Sequence, residues 1–228
     1  MALRHEIVQG DSVASLAAEH GFFPETLWDH PENAELKTLR ASMNVLAPGD
    51  VLYIPDKRES HASCATGQRH VFRRRAVPML FSIQLLDGRS PRANLPYRLE
   101  LEALTLEGQT SADGRIERYI PNATRRGRLR VGDGVVDALL DFGHMDPADL
   151  ADGLRKRLRN LGYRPRDGAE DPDGLFLRAE LSLFQANAGL PVTGEDDADT
   201  RAALARNHDE AGVYQKAAAP PAHTPDAP

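Results

Sequence analysis

Cys64, the single cysteine of this 228-residue chain, lies between His61 and His70. A thiol beside two imidazoles is the raw material of a nucleophile activated by a base. The surrounding run from Glu59 to Arg69 is polar and holds Ser60, Ser63, Thr66 and Gly67. It reads as a linker, in which nothing holds catalytic geometry, so the thiol reading fails. One cysteine also allows no internal disulfide. His144 and Asp146 flank Met145, and a turn or capping role suits them better than a metal site. Glu195-Asp196-Asp197 precedes a helix-forming run and reads as its acidic lead-in rather than as a set of cation ligands. There is no His pair at metal-ligand spacing, no Cys/His cluster and no Gly-rich phosphate loop after a strand. No segment resembles a fold carrying paired catalytic carboxylates. The expectation is a binding protein with no catalytic residues, no metal and no other cofactor. The alternatives are a hydrolase or toxin with unrecognised catalytic residues, and a cytosolic protein-binding scaffold.

The bulk numbers fit this. Hydrophobic residues make up 41% of the chain and charged residues 27%, ordinary for a globular protein, and the length suits two or three modules. The formal charge of −6 is unevenly spread. Met1–Cys64 has 5 basic against 10 acidic residues, Ala65–Gly132 has 13 against 6, and Asp133–Pro228 has 10 against 18. A basic centre between acidic ends marks distinct modules and one charged docking face, and the acidic whole disfavours nucleic acid as a partner. Met1–Glu6 has no basic start leading into an apolar run and a cleavage site. No apolar stretch approaches the roughly 20 residues that span a bilayer. Synthesis in the cytoplasm without a signal peptide, and no membrane insertion, are therefore expected.

Three patterns of elements follow. In the first, Glu6-Ile7-Val8 starts a strand and Gly10-Asp11-Ser12 turns the chain and caps a helix. Val13, Leu16 and Ala17 recur at helical spacing up to Gly21. Thr26-Leu27-Trp28 begins a second helix, with Trp28 expected in the core. Pro48-Gly49-Asp50 and Val51-Leu52-Tyr53-Ile54-Pro55 supply a turn, a strand and a stop. With Val8-Gln9-Gly10-Asp11-Ser12 at one end and Pro48–Pro55 at the other, residues 1–57 resemble a LysM domain, with βααβ order. That family holds N-acetylated glycans in a shallow groove between the loop after the first strand and the loop before the second. The resemblance implies Gly10, Asp11, Ser12 and Val13 on one side and Asn44, Val45 and Leu46 on the other. His30–Arg40 departs from the family in being longer and more charged, and would reshape or block the groove.

After a linker at 58–69, residues 70–140 change to a period of two. Pro78–Leu86, Tyr97–Ala103 and Arg128–Val131 alternate apolar and polar side chains, with turns at Asp87-Gly88-Arg89, Glu107-Gly108 and Asp113-Gly114. These are half-buried antiparallel strands of a small β-sandwich. Tyr97–Leu101, Gly108–Ile116 and Ile120-Pro121 resemble a transthyretin-like or carboxypeptidase-regulatory sandwich. Arg73-Arg74-Arg75 and Arg125-Arg126 mark a docking face.

Residues 141–210 return to helical spacing. Leu150, Leu154, Leu158 and Leu161 share one face, with Asp146-Pro147 as the expected start. Leu177, Leu181 and Phe184 form a second face, and Asp199-Thr200 leads into Leu204. Leu161-Gly162-Tyr163, Phe184-Gln185, Gly189-Leu190 and Val192-Thr193-Gly194 resemble the three-helix peptidoglycan-binding module. Gly162 and Gly189 fit helix C-caps. The resemblance implies Tyr163, Gln185 and Asn187 as contacts for a peptide stem. The Ala- and Pro-rich tail, 211–228, is expected to be disordered.

The chain thus reads as an α+β multidomain protein. The module order resembles peptidoglycan-binding proteins linked to type VI secretion. That resemblance implies peptidoglycan or an N-acetylated glycan as ligand, a secretion spike or an immunity protein as further partner, and export by a contractile injection system to the periplasm or a target cell.

Overall fold

The computed structural model describes residues 2–40, 42–57, 63–70, 78–88 and 90–210. The chain divides into two compact units, Met1–Met145 and Asp146–Pro228. Helices and antiparallel sheets are both present, so the architecture is α+β.

In the first unit, β1 (Leu3–Glu6) and β2 (Val51–Ile54) pair antiparallel, with Leu3 opposite Ile54. Between them run α1 (Val13–His20), α2 (Pro24–Trp28), a 3-10 turn (Pro31–Asn33) and α3 (Ala34–Leu39). Helix α1 starts where Ser12 and Ser15 cap each other reciprocally, and stops at Gly21 with a left-handed φ of 72°. Leu16, Leu27, Trp28, Leu36, Leu46 and Leu52 belong to one buried cluster under the two strands. Trp28 is therefore core, not a stacking platform for sugar.

His30–Arg40 folds into the 3-10 turn and α3. The Asn33 side chain, 1% exposed, donates to Leu27 O and Tyr53 O, both at 2.8 Å, and accepts from Tyr53 N at 2.7 Å. That amide staples the turn to β2. Arg40 forks onto Asp50 at 2.8 and 2.9 Å, a bidentate geometry that fixes the far end of α3.

The rest of this unit is antiparallel. Strands β3 (Pro78–Gln84), β4 (Leu86–Asp87), β5 (Ser90–Pro91), β6 (Pro96–Leu101), β7 (Thr105–Gln109), β8 (Arg115–Pro121), β9 (Arg126–Val131) and β10 (Val136–Asp141) follow in order. One sheet has the order β10-β9-β6-β7; β3 pairs with β8, and β4 with β5. Tyr97 lies opposite Val131, and Leu99 opposite Leu129. These four share a cluster with Ile116 and Ile120 of β8 and with Met79, Phe81 and Ile83 of β3. Strand β10 is absent from the period-two reading because Leu139, 81% exposed, breaks the alternation on its outward face.

The second unit holds α4 (Ala151–Asn160), α5 (Leu175–Ala188) and α6 (Ala198–Asp209) around Leu154, Leu158, Tyr163, Leu181, Phe184 and Leu204. Helix α4 begins four residues later than the Asp146-Pro147 start expected from sequence. The Asp146 carbonyl is taken by the Arg157 guanidinium at 2.7 Å, and the Pro147 carbonyl lies where a Cβ on Gly153 would stand, 1.9 Å from it. The segment before α4 thus packs across the helix instead of extending it. Asp197 caps α6 by accepting from Thr200 N at 2.7 Å, as the acidic lead-in reading requires. The tail, 211–228, lies outside the described residues.

Candidate functional site

The loop after β1 and the loop before β2 are neighbours, because Val13 N donates to Met43 O at 3.0 Å. Most side chains on the first loop are already committed. Val13 and Leu46 point into the core, with no exposed and 4% exposed surface. The Ser12 and Ser15 hydroxyls serve the cap of α1. The Asp11 carboxylate, 7% exposed, accepts from His5 Nε2 at 2.9 Å, from Val8 N at 3.1 Å and from the Arg125 guanidinium at 3.3 Å. Burial pushes this carboxyl up, but the His5 and Val8 hydrogen bonds and the charges of His5 and Arg125 outweigh it, holding the group below its ordinary value.

Gly10, at φ 97°, adopts a backbone that other residues rarely accept. Its carbonyl accepts from Arg125. The imidazole of His144 fills the space a Cβ would need, with Nε2 2.9 Å from that position. The Gln9 side chain donates to His144 O at 3.2 Å. Arg125, read from sequence as part of a docking face, is turned inward on this loop, whereas Arg126 is exposed beside Asp141.

Asn44 is exposed, and Val45 half-buried. The surface beside Asn44 is not an open groove. It is a cleft of about 240 Å³ walled by Gly10, Ser12, Ser15 and Asn44 on one flank and by Met79–Ser82, Asn122, Thr124, Arg125, Phe142 and Gly143 on the other. None of His30–Arg40 lines it; the sandwich, not the inter-helix stretch, reshapes this surface. Asn122, Thr124 and Phe142 carry no local motif, and only the folded chain brings them to Asn44.

In the second unit, Gln185 has no exposed surface. Its Nε2 lies within 3.0 Å of Thr193 Oγ1, Glu195 O and Thr200 Oγ1, and its Oε1 accepts from Thr193 N and Gly194 N. It ties the Val192–Glu195 loop to α5 and α6 and offers no atom to a ligand. Tyr163 is buried, its ring edge-on to Phe184 with centroids 5.7 Å apart, and its hydroxyl accepts from Asn187 at 3.0 Å. Asn187, half-buried, is the most exposed of the three side chains.

Cys64 is exposed. Arg73, Arg74 and Arg75, the proposed docking residues, lie outside the described residues, as does His61. Among the described residues, no three or more His, Cys, Asp or Glu side chains gather in a way that could hold a metal ion, and no helix is long and apolar enough to cross a membrane.

Comparison with known proteins places one of the two wall-like resemblances. Residues 152–204 match the family described as "Putative peptidoglycan binding domain". The matched span runs from α4 through the Gln185 network into α6, and it supports peptidoglycan binding and a cell-wall-binding role. No curated protein and no solved structure matches the chain.

Proposed function

We propose that this protein is a non-enzymatic peptidoglycan-binding accessory, adaptor or cargo of a contractile injection system of the type VI kind. The observation that carries the reading is the match of residues 152–204 to a peptidoglycan-binding family. A LysM-like identity for residues 1–57 is supported by the order strand, helices, strand and by the adjacency of the two loops that family uses for glycan. The export half of the reading rests on module order: wall-binding-like folds on both sides of a sandwich, with the basic run Arg73–Arg75 as docking face for an acidic partner. Incubation of the full chain with purified sacculi tests the binding half. Pelleting without release of soluble fragments is the expected result. Release of fragments favours a hydrolase, and absence of pelleting favours a protein-binding scaffold.

A further inference from the structure

The cleft beside Asn44 has the makings of a site that neither wall of it has alone. Three of its side chains have polar groups with no protein partner: the amides of Asn44 and Asn122 and the hydroxyl of Thr124 make no hydrogen bond among the described residues. Thr124 is only 5% exposed as a residue, but its hydroxyl keeps contact with solvent in the cleft, where a ligand can replace water as its partner. Phe81 and Phe142, edge to face with centroids 5.7 Å apart, give the same cleft an apolar wall. The one cation present, Arg125, is already neutralised by Asp11.

Two amides, a hydroxyl and an aromatic wall around a neutral centre suit an uncharged ligand that carries hydroxyl and amide groups on an apolar ring. An anion would find no free charge to pair with. The volume, about 240 Å³, is below the roughly 300–1,000 Å³ of typical ligand pockets, and walls from the N-terminal loops and the sandwich leave room for about one ring. We infer that the cleft is a composite site, half of it supplied by the sandwich, that takes the terminal N-acetylated sugar of a glycan chain rather than a running stretch of it. This rests on the glycan-binding reading of the N-terminal module.

The test is calorimetric titration of the full chain with N-acetylglucosamine and its β-1,4-linked dimer, tetramer and hexamer. Affinity is expected to change by less than threefold from dimer to hexamer. The double variant Asn122→Ala, Thr124→Val is expected to weaken binding at least tenfold with an unchanged melting temperature, as is Asn44→Ala. Loss on Asn44→Ala with normal binding by the double variant would overturn the composite site while leaving the N-terminal groove in place. Affinity climbing with each added sugar would overturn terminal capture. Indifference to all three substitutions, or no binding, would remove the N-terminal glycan reading together with this inference. Pelleting with sacculi, carried by residues 152–204, is read separately and stands or falls by itself.

Discussion

Truncating Gln185 to alanine strands the buried Gly194 N–H, frees the part-buried Thr193 N–H and removes the link to Thr200. Each orphaned buried group costs about 1–3 kcal/mol, so the C-terminal unit of Gln185→Ala should melt well below that of the wild-type chain. Asn187→Ala, at a half-buried position, should cost about 1 kcal/mol. If Asn187 is a ligand contact, that variant loses more sacculus affinity than a destabilisation of this size accounts for; unchanged affinity of the folded variant would make its role structural only. Asp11 and Asp50 govern the acid limb of the first unit. Burial raises the Asp50 carboxyl, but the hydrogen bonds from Arg40 and Ala47 N–H, with the Arg40 charge, outweigh it and lower the group below 3.8. Both carboxyls have folded values below unfolded ones, so the unfolded chain binds more protons as pH falls. Their contribution is present above the unfolded value of about 3.9 and is lost as pH falls through the lowered folded value. Asp11→Asn and Asp50→Asn should each be less stable at neutral pH, with a flatter fall in melting temperature below pH 4. An unchanged acid slope in both would show that these pairs contribute nothing.

Helix α4 offers the sharpest contrast between local propensity and tertiary fit. In a free helix, Gly153→Ala would gain about 1 kcal/mol. Here a Cβ would meet Pro147 O at 1.9 Å and Asp146 O at 2.7 Å, both backbone atoms that cannot swing aside. The helix would have to back away, at an overpacking cost of about 1–3 kcal/mol. The expected outcome is a lower melting temperature for the C-terminal unit and reduced sacculus retention, and a stabilised variant would show that this close approach does not persist in solution. Three other ends obey their local signals: the Ser12–Ser15 cap starts α1, Asp197 starts α6, and Gly189, at φ 71°, ends α5. Glu107-Gly108, read from sequence as a turn, instead lies within β7, paired with Arg98 and Tyr97 of β6.

Over the whole molecule, wall binding and export are separable claims. Phe184→Ala removes the largest fully buried apolar side chain from the C-terminal core, at about 3–5 kcal/mol, and should abolish most pelleting with sacculi if residues 152–204 carry it. Export is tested by fractionating cells with and without a working contractile apparatus. The chain should leave the cytoplasm only in the first, and charge reversal at Arg73, Arg74 and Arg75 should reduce export more than reversal in the tail. Equal distribution in both strains would end the delivery proposal and leave the wall-binding one intact.

Much of this was legible along the chain. Period two over Tyr97–Leu101 and helical spacing over Leu154–Leu161 announce elements because burial on one face imposes a fixed repeat. Gly162, Phe184-Gln185 and Thr193-Gly194 announce the C-terminal module because caps and tight turns need particular residues at particular places. The role of each polar side chain was decided elsewhere. Gln185 and Asp11 look like ligand contacts in sequence and are internal fasteners in the fold. His30–Arg40 looks like a cover for the groove and is instead stapled to β2 by Asn33. Asn122, Thr124 and Arg125 reach Asn44 across about 80 residues of chain. Local pattern reports which face of an element is buried, whereas a cleft is made by segments far apart in sequence, and only packing determines which polar groups are satisfied by the protein and which remain for a ligand.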